Sequence, residues 1–146
     1  MNNVAQKYDF PAKELDDLGV IGLYLFGSQA QGLGTSLSDI DIGVLVRSNL
    51  LFEDRAQRNK IYDALYDILS HYASRTLNRL CDIDIVFLED PNVNFQLRYH
   101  VAKYGMSLYE RNPRDFANFK ERTMDEYADF APLRRLFTES IFARIS

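Results

Sequence analysis

Residues 20–46 read VIGLYLFGSQAQGLGTSLSDIDIGVLV, and this stretch decides the fold that we expect. Its first part, Val20 to Phe26, is apolar, β-branched and aromatic, which predicts a buried strand. The pair Gly27-Ser28 ends that strand, and the small, polar, glycine-containing residues 29–38 predict a turn followed by a loop. Ile40 to Val46 predicts a second strand, which the loop brings back beside the first.

The rest of the chain alternates helices and strands around this stretch. Helical periodicity and end signals predict helices at 11–18, 52–72, from Asp90-Pro91 to Gly105, and from Asn112-Pro113 onward, with Pro132 kinking or restarting the last one. Residues 82–88 predict a third strand, and residues 106–109 can add a short edge strand. This order predicts an α/β (α+β) fold: a small mixed β-sheet with helices packed mainly on one face.

Length, charge and cysteine usage limit the class of protein. The 146 residues fit a single domain, with a core at about 19–110 and a C-terminal helical segment at about 113–144. A net charge of −4 argues against direct nucleic-acid binding, which needs a basic face. The single cysteine, Cys81, permits no internal disulfide, and no apolar run has membrane-spanning length. We therefore expect a cytoplasmic protein with no membrane association.

Two aspartates at the start of the second strand form the most informative chemical pattern. Asp39 and Asp41 stand two residues apart, so both carboxylates leave the same face of the strand, while Ile40 and Ile42 leave the other. Two carboxylates held so close repel each other, and a magnesium ion would remove that conflict. Because Mg²⁺ commonly binds one or two carboxylates together with substrate phosphates, the pair predicts a seat for a metal and a triphosphate.

A phosphate-binding turn is expected next to this metal seat. Gly27 permits a tight turn and a close approach of the backbone, and Ser28 adds a hydroxyl. Free backbone N–H groups in such a turn can hold phosphate oxygens.

A third carboxylate is predicted from the repeat of Asp-Ile-Asp-Ile at residues 82–85. If this strand pairs beside the Asp41 strand, Asp82 or Asp84 joins the first two carboxylates, as a metal ligand or as the general base on the attacking hydroxyl. Side-chain alternation alone leaves the choice between Asp82 and Asp84 open.

The pattern G-S-(x10)-D-x-D, followed by a later strand with a central aspartate, resembles the DNA polymerase beta-like nucleotidyltransferase superfamily. The residues that carry it are GSQAQGLGTSLSDIDIGVLV and CDIDIVFLED. The stretches LRYHVAKYGMSLYERNP and DEYADFAPL also resemble the MntA-type antitoxins, minimal nucleotidyltransferases that pair with HEPN toxins. The chain departs from the family at Gln31, where an arginine is common, which puts one phosphate contact in doubt.

The resemblance implies a fold, a reaction and a set of site residues. It implies the nucleotidyltransferase fold, with Gly27 and Ser28 on the phosphates and with Asp39, Asp41 and Asp84 as the catalytic, metal-binding carboxylates. The implied chemistry is attack of a hydroxyl on the α-phosphate of a nucleotide, assisted by Mg²⁺, with pyrophosphate leaving. The implied activity is transfer of AMP from ATP to a tyrosine of a HEPN toxin ribonuclease, held in a heteromeric complex, which silences the toxin.

Two alternatives stay open at this point. The chain can neutralise its partner by occlusion, without catalysis, although a pure binding protein gains nothing from like charges held together. It can also transfer a nucleotide to a small molecule such as an aminoglycoside, although little chain is left beyond the expected core to hold such an acceptor.

Overall fold

The computed structural model of the chain describes residues 8–27, 39–48, 53–76 and 82–145, with side chains described as far as residue 129. Four strands and four helices occur in this part of the chain: α1 (Ala12–Asp17), β1 (Val20–Phe26), β2 (Ile40–Val46), α2 (Arg55–Thr76), β3 (Ile83–Phe87), α3 (Phe95–Tyr104), β4 (Met106–Glu110) and α4 (Pro113–Ile145). The predicted bounds of the first two strands are confirmed: β1 is one run of apolar residues, and β2 is apolar except at Asp41. No described helix is long and apolar enough to cross a membrane.

The strands form one mixed sheet in the order β3-β2-β1-β4. β1 pairs antiparallel with both β2 and β4, and β2 pairs parallel with β3. The last residues of β1 and the first residues of β2, β3 and β4 therefore meet at one end of the sheet. The mixed sheet and the α+β class that the sequence predicts are confirmed.

Helices cover both faces of this sheet, so the expectation that they pack mainly on one face is wrong. On the first face, Leu23 and Ile42 lie in one core with α1 and α2, whose predicted apolar stripe of Ile61, Leu65, Leu69 and Tyr72 is buried there. On the second face, Tyr24 and Leu45 lie in another core with α3 and α4. Along each strand, the residues of the second core alternate with those of the first, so a strand that is apolar at successive positions is buried on both faces.

The start of α3 also differs from the prediction. Asp90-Pro91 does not begin the helix, because the buried Asp90 accepts a hydrogen bond from the Asn92 backbone N–H at 2.9 Å and pairs with Arg58 at 3.1 Å. The helix begins after Asn94, whose side chain accepts from the Gln96 N–H at 2.7 Å. Asn94 is therefore the N-cap, as asparagine commonly is. The last helix continues through Pro132 without a restart.

Candidate active site

The predicted site residues gather where β1 ends and β2, β3 and β4 begin. We call this region the carboxylate end of the sheet and define it by Gly27, Asp39, Asp41, Asp84 and Met106. Gly27 follows β1 directly, and the Cα atom of Asp41 pairs with that of Phe26, the last residue of β1. The turn and the second strand are thus neighbours, as the sequence predicts. Ser28 lies outside the described residues.

The parallel pairing of β2 with β3 places a third carboxylate beside the first two. Asp84 is the register partner of Asp41, so both side chains project from the same face of the sheet on strands about 4.8 Å apart. Asp39 shares this face and is exposed, as is Asp84, whereas Asp41 is half-buried. In this register Asp84, and not Asp82, stands opposite Asp41.

Asp82 lies two residues before Asp84 in the chain and directly precedes β3. Its backbone carbonyl accepts the N–H of Ile40 at 3.0 Å, and its side chain is exposed. It is therefore placed beside Asp39 rather than beside Asp41. Four carboxylates therefore lie at the same end of the sheet, two at the start of β2 and two at the start of β3.

The surroundings of Asp41 disfavour the ionised form of its carboxyl group. Partial burial raises its pKa, and the charges of Asp84 and Asp39 and a side-chain hydrogen bond with Asp84 raise it further. These are the expected effects of desolvation and of like charges that share a site. A bound cation would favour the ionised form and reverse them.

Gly27 fits tightly against this carboxylate. Its φ of 77° lies in the left-handed region, where a side chain is strained. A Cβ atom built on Gly27 would collide with Oδ2 of Asp41. The turn therefore needs glycine for two reasons, and its backbone lies directly against the carboxylate.

The comparisons with known proteins agree with this geometry. A family model described as polymerase beta, nucleotidyltransferase, matches residues 13–114, which include all four strands and every predicted site residue. This chain belongs to that family. Its nucleotidyltransferase fold is therefore shown by the sequence match as well as by the sheet. No curated protein matches the chain.

Solved structures of toxin–antitoxin complexes have the same fold as this nucleotidyltransferase. A toxin–antitoxin structure with AMP-PNP is 26% identical with a TM-score of 0.62, over 90% of this chain and 94% of that one. The MntA–HepT complex is 23% identical with a TM-score of 0.56, over 90% and 92% of the two chains. A tri-AMPylated HEPN toxin of Shewanella oneidensis in complex with an MNT antitoxin is 18% identical with a TM-score of 0.51, over 97% and 99%.

The donor set of the nucleotidyltransferase site consists of carboxylate oxygens, which suit a hard cation. No group of three or more His, Cys, Asp or Glu side chains in the described residues is arranged to hold a metal ion. Magnesium does not require such a group, because it is usually held by one or two carboxylates with substrate phosphates and water completing its shell. Burial raises the pKa of Asp41, the neighbouring charges of Asp84 and Asp39 raise it further, and a cation held between these carboxylates would offset their repulsion.

Three cationic side chains follow the site in the sequence, and the fold places them at different distances from the carboxylate end. Arg98 pairs with Glu126 at 3.6 Å, and Arg111 pairs with Asp115 at 3.2 Å at the opposite end of β4. Lys103 lies in the last turn of α3, next to the carboxylate end. Of the three, Lys103 is the best placed to approach a phosphate or a partner.

Proposed function

We propose that this nucleotidyltransferase is an antitoxin that transfers AMP from ATP, with Mg²⁺, to a hydroxyl of a HEPN toxin and so neutralises it. The acceptor that we propose is a tyrosine of the toxin. The observation that carries the proposal is the register of Asp84 beside Asp41, at the strand end that also bears Asp39 and the Gly27 turn.

The carboxylates have separate tasks in this proposal. Asp39 and Asp41 would hold the metal ion, which when bound neutralises charge on the phosphates and polarises the α-phosphate. Asp84 is exposed and stands on the neighbouring strand, so it can accept the proton of the attacking hydroxyl or complete the metal shell. The acceptor oxygen forms the bond to the α-phosphorus, and pyrophosphate leaves with the electron pair of the broken P–O bond.

The turn after β1 supplies the phosphate contact. The Gly27 backbone lies against Asp41 with no side chain in between. Its N–H group, together with Ser28, would hold phosphate oxygens close to the metal carboxylates.

Support for the toxin partner comes from the structural relatives. One relative is described as a toxin–antitoxin with AMP-PNP, and another contains a tri-AMPylated HEPN toxin. The resemblance of residues 97–113 and 125–133 to MntA-type antitoxins agrees with both. A small-molecule acceptor has less support, since the structural relatives are toxin–antitoxin complexes.

Intact mass spectrometry of a candidate HEPN toxin partner tests the proposal. After incubation with this chain, Mg²⁺ and ATP, we expect a mass gain of one or more AMP units. Replacing ATP by AMP-PNP tests the identity of the broken bond, because the α–β linkage stays a P–O–P bridge and transfer should persist.

Two matched variants complete this experiment. Asp41→Asn removes one charge from the site and should abolish the gain, whereas Asp125→Asn removes one charge from an exposed position on α4 and should not. An unmodified toxin with the unaltered chain would sink the transfer mechanism. A toxin neutralised equally by Asp41→Asn would establish occlusion in its place.

A further inference from the structure

The carboxylate end of the sheet carries negative charge that the described part of the chain does not balance. Asp39, Asp41, Asp82 and Asp84 lie there, whereas the ion pairs among the described residues all involve other carboxylates. The sequence between β1 and β2 adds no cation, because residues 28–38 read SQAQGLGTSLS and contain no charged side chain. A nucleoside triphosphate brings further negative charge, so its binding requires a cationic group from elsewhere in the fold.

Helix α3 brings one lysine to this end of the sheet, on the same face as the carboxylates. Leu45 of β2 lies in the core with α3, and alternation along the strand places Asp41 on that face as well. A single residue separates α3 from β4, and β4 begins with Met106, the register partner of Leu25 near the end of β1. The last turn of α3, which contains Lys103, therefore lies at the carboxylate end.

The Lys103 side chain is exposed and has no carboxylate partner among the described residues, whereas Arg98 and Arg111 are already paired. Its ammonium group lies 5.3 Å from the centre of the Tyr104 ring and 5.9 Å from that of Tyr99, near the outer limit of a cation–π contact. A side-chain hydrogen bond with Tyr104 raises the pKa of Lys103, so the group is charged at neutral pH. Contacts of this kind leave the flexible four-carbon stem able to turn towards a phosphate.

The order of the strands indicates which phosphates Lys103 can contact. The strands follow one another as β3, β2, β1 and β4, so Asp84, Asp41, the Gly27 turn and the start of β4 lie in that order across the sheet. In an in-line displacement the attacking and leaving oxygens lie on opposite sides of the phosphorus. An acceptor hydroxyl that enters beside Asp84 therefore directs the pyrophosphate away from β3, towards β1 and β4.

We propose that Lys103 binds the β- and γ-phosphates of the nucleotide and stabilises the pyrophosphate as it leaves. This inference rests on the proposed function, because it takes the acceptor to enter beside Asp84 and the α-phosphate to lie at Asp41. The bond between the α-phosphorus and the bridging oxygen breaks, and its electron pair stays on the pyrophosphate. The Lys103 ammonium neutralises part of this charge, as cationic side chains do at transferred phosphoryl groups.

Isothermal titration calorimetry without any acceptor tests the role of Lys103 separately from the choice of toxin. AMP-PNP and inorganic pyrophosphate, each with Mg²⁺, are titrated into the unaltered chain, Lys103→Gln and Lys103→Arg. Lys103→Gln should weaken the binding of both ligands by about 10-fold or more, since a hydrogen bond between charged groups is lost. Lys103→Arg keeps the charge and should bind both ligands more tightly than Lys103→Gln does.

Arg75→Gln is the matched control for the loss of one positive charge. Arg75 is exposed in the last turn of α2, which covers the opposite face of the sheet, and this variant should bind both ligands like the unaltered chain. Melting temperatures test for a purely structural role. If Lys103 only interacts with the C-terminal end of its helix, Lys103→Gln lowers the melting temperature and leaves both dissociation constants unchanged.

Each outcome supports or overturns the assignment of Lys103. Weaker binding of both ligands by Lys103→Gln, with normal binding by Arg75→Gln, supports it. Unchanged binding by Lys103→Gln, weaker binding of AMP-PNP alone, or equal weakening by Arg75→Gln overturns it. If Lys103 is necessary for binding both ligands but no toxin gains AMP in the mass experiment, the proposed function fails while the assignment of Lys103 stands.

Discussion

The seven residues of β2 alternate between two faces of the sheet, and the two faces have different roles. On one face, Ile40, Ile42 and Val44 are fully buried against α1, α2 and their neighbours. On the other face, Leu45 is buried under α3 and α4, but the strand begins with Asp41 and is preceded by Asp39. One face is apolar along its whole length, and the other changes from apolar to acidic at the carboxylate end.

The difference separates stability from chemistry within a single strand. The apolar face contributes burial, which scales with the area removed from water. The acidic end of the opposite face works against the folded state, because burial and like charges raise the pKa of Asp41. Such groups are expected where a ligand, rather than the core, uses them.

The largest expected effect breaks the apolar face. Ile42→Ala removes a fully buried side chain from the first core and should lower the free energy of unfolding by about 2–5 kcal/mol. Urea denaturation followed by circular dichroism measures the change. Transfer by the fraction that remains folded should be retained, and a loss of stability below about 0.5 kcal/mol would contradict the assignment of Ile42 to the core.

The next effect breaks the turn that lies against the acidic face. Gly27→Ala places a methyl group at positive φ, which costs about 1–2 kcal/mol, and drives it into Oδ2 of Asp41. We expect lower stability and a transfer rate reduced by about 100-fold or more, since misplaced catalytic groups are costly. Thermal unfolding and the intact-mass assay measure the two effects.

Gly19→Ala provides a matched control for that substitution. Gly19 has a φ of 80°, but a Cβ atom there would meet nothing within 4 Å. This variant should show the same backbone cost and normal transfer. Equal transfer by both glycine variants would mean that the fit of Gly27 against Asp41 has no role in the reaction.

A smaller effect, opposite in sign, sharpens the contrast between stability and chemistry. The folded-state pKa of Asp41 is raised, so its contribution to stability is fully present below the unfolded value of 3.8 and is lost as pH rises through the folded value. At pH 7 without metal, Asp41→Asn should therefore raise the melting temperature while it abolishes transfer. If Asp41→Asn lowers the melting temperature at pH 7, or raises it equally at pH 3, the ionised Asp41 carboxylate does not destabilise the folded protein.

The smallest effect concerns the core of the second face. The Tyr24 hydroxyl is buried there without a hydrogen-bond partner among the described residues, and its ring stacks on Phe116 at 3.9 Å. Tyr24→Phe keeps the stacked ring and should stabilise the protein by up to about 1 kcal/mol, because it removes an unpaired buried polar group. A clear loss of stability in chemical denaturation would show that the hydroxyl has a partner in solution.

The sequence predicts the strands, and the side of the strands on which the carboxylates lie, better than the helices. β1 and β2 have the predicted bounds because β1 is a single apolar run, β2 is apolar except at Asp41, and the sequence between them is small and polar. Their order along the chain and the alternation of Asp39 with Ile40 also predict which face is acidic. The choice of Asp84 over Asp82 follows from the resemblance in sequence, and only the pairing of β2 with β3 gives it a physical reason.

The remaining features depend on contacts between distant parts of the chain. The start of α3 moves past Asp90 because that carboxylate pairs with Arg58, 32 positions earlier, which no local pattern reveals. The second core depends on where α4 crosses the sheet, and so does the stacking of Phe116 on Tyr24. Amphipathic helices reveal their apolar side but not the face of the sheet that they cover.

The proposed site requires that carboxylates from β2 and β3 bind one metal–nucleotide complex, which a binding measurement tests directly. Isothermal titration calorimetry of the unaltered chain, Asp41→Asn and Asp84→Asn with Mg²⁺ and AMP-PNP measures this. The account predicts that the unaltered chain binds, that Asp41→Asn does not, and that Asp84→Asn binds more weakly or retains binding without transfer. Magnesium-dependent binding that Asp41→Asn leaves unchanged would contradict the claim that this end of the sheet is the nucleotidyltransferase site.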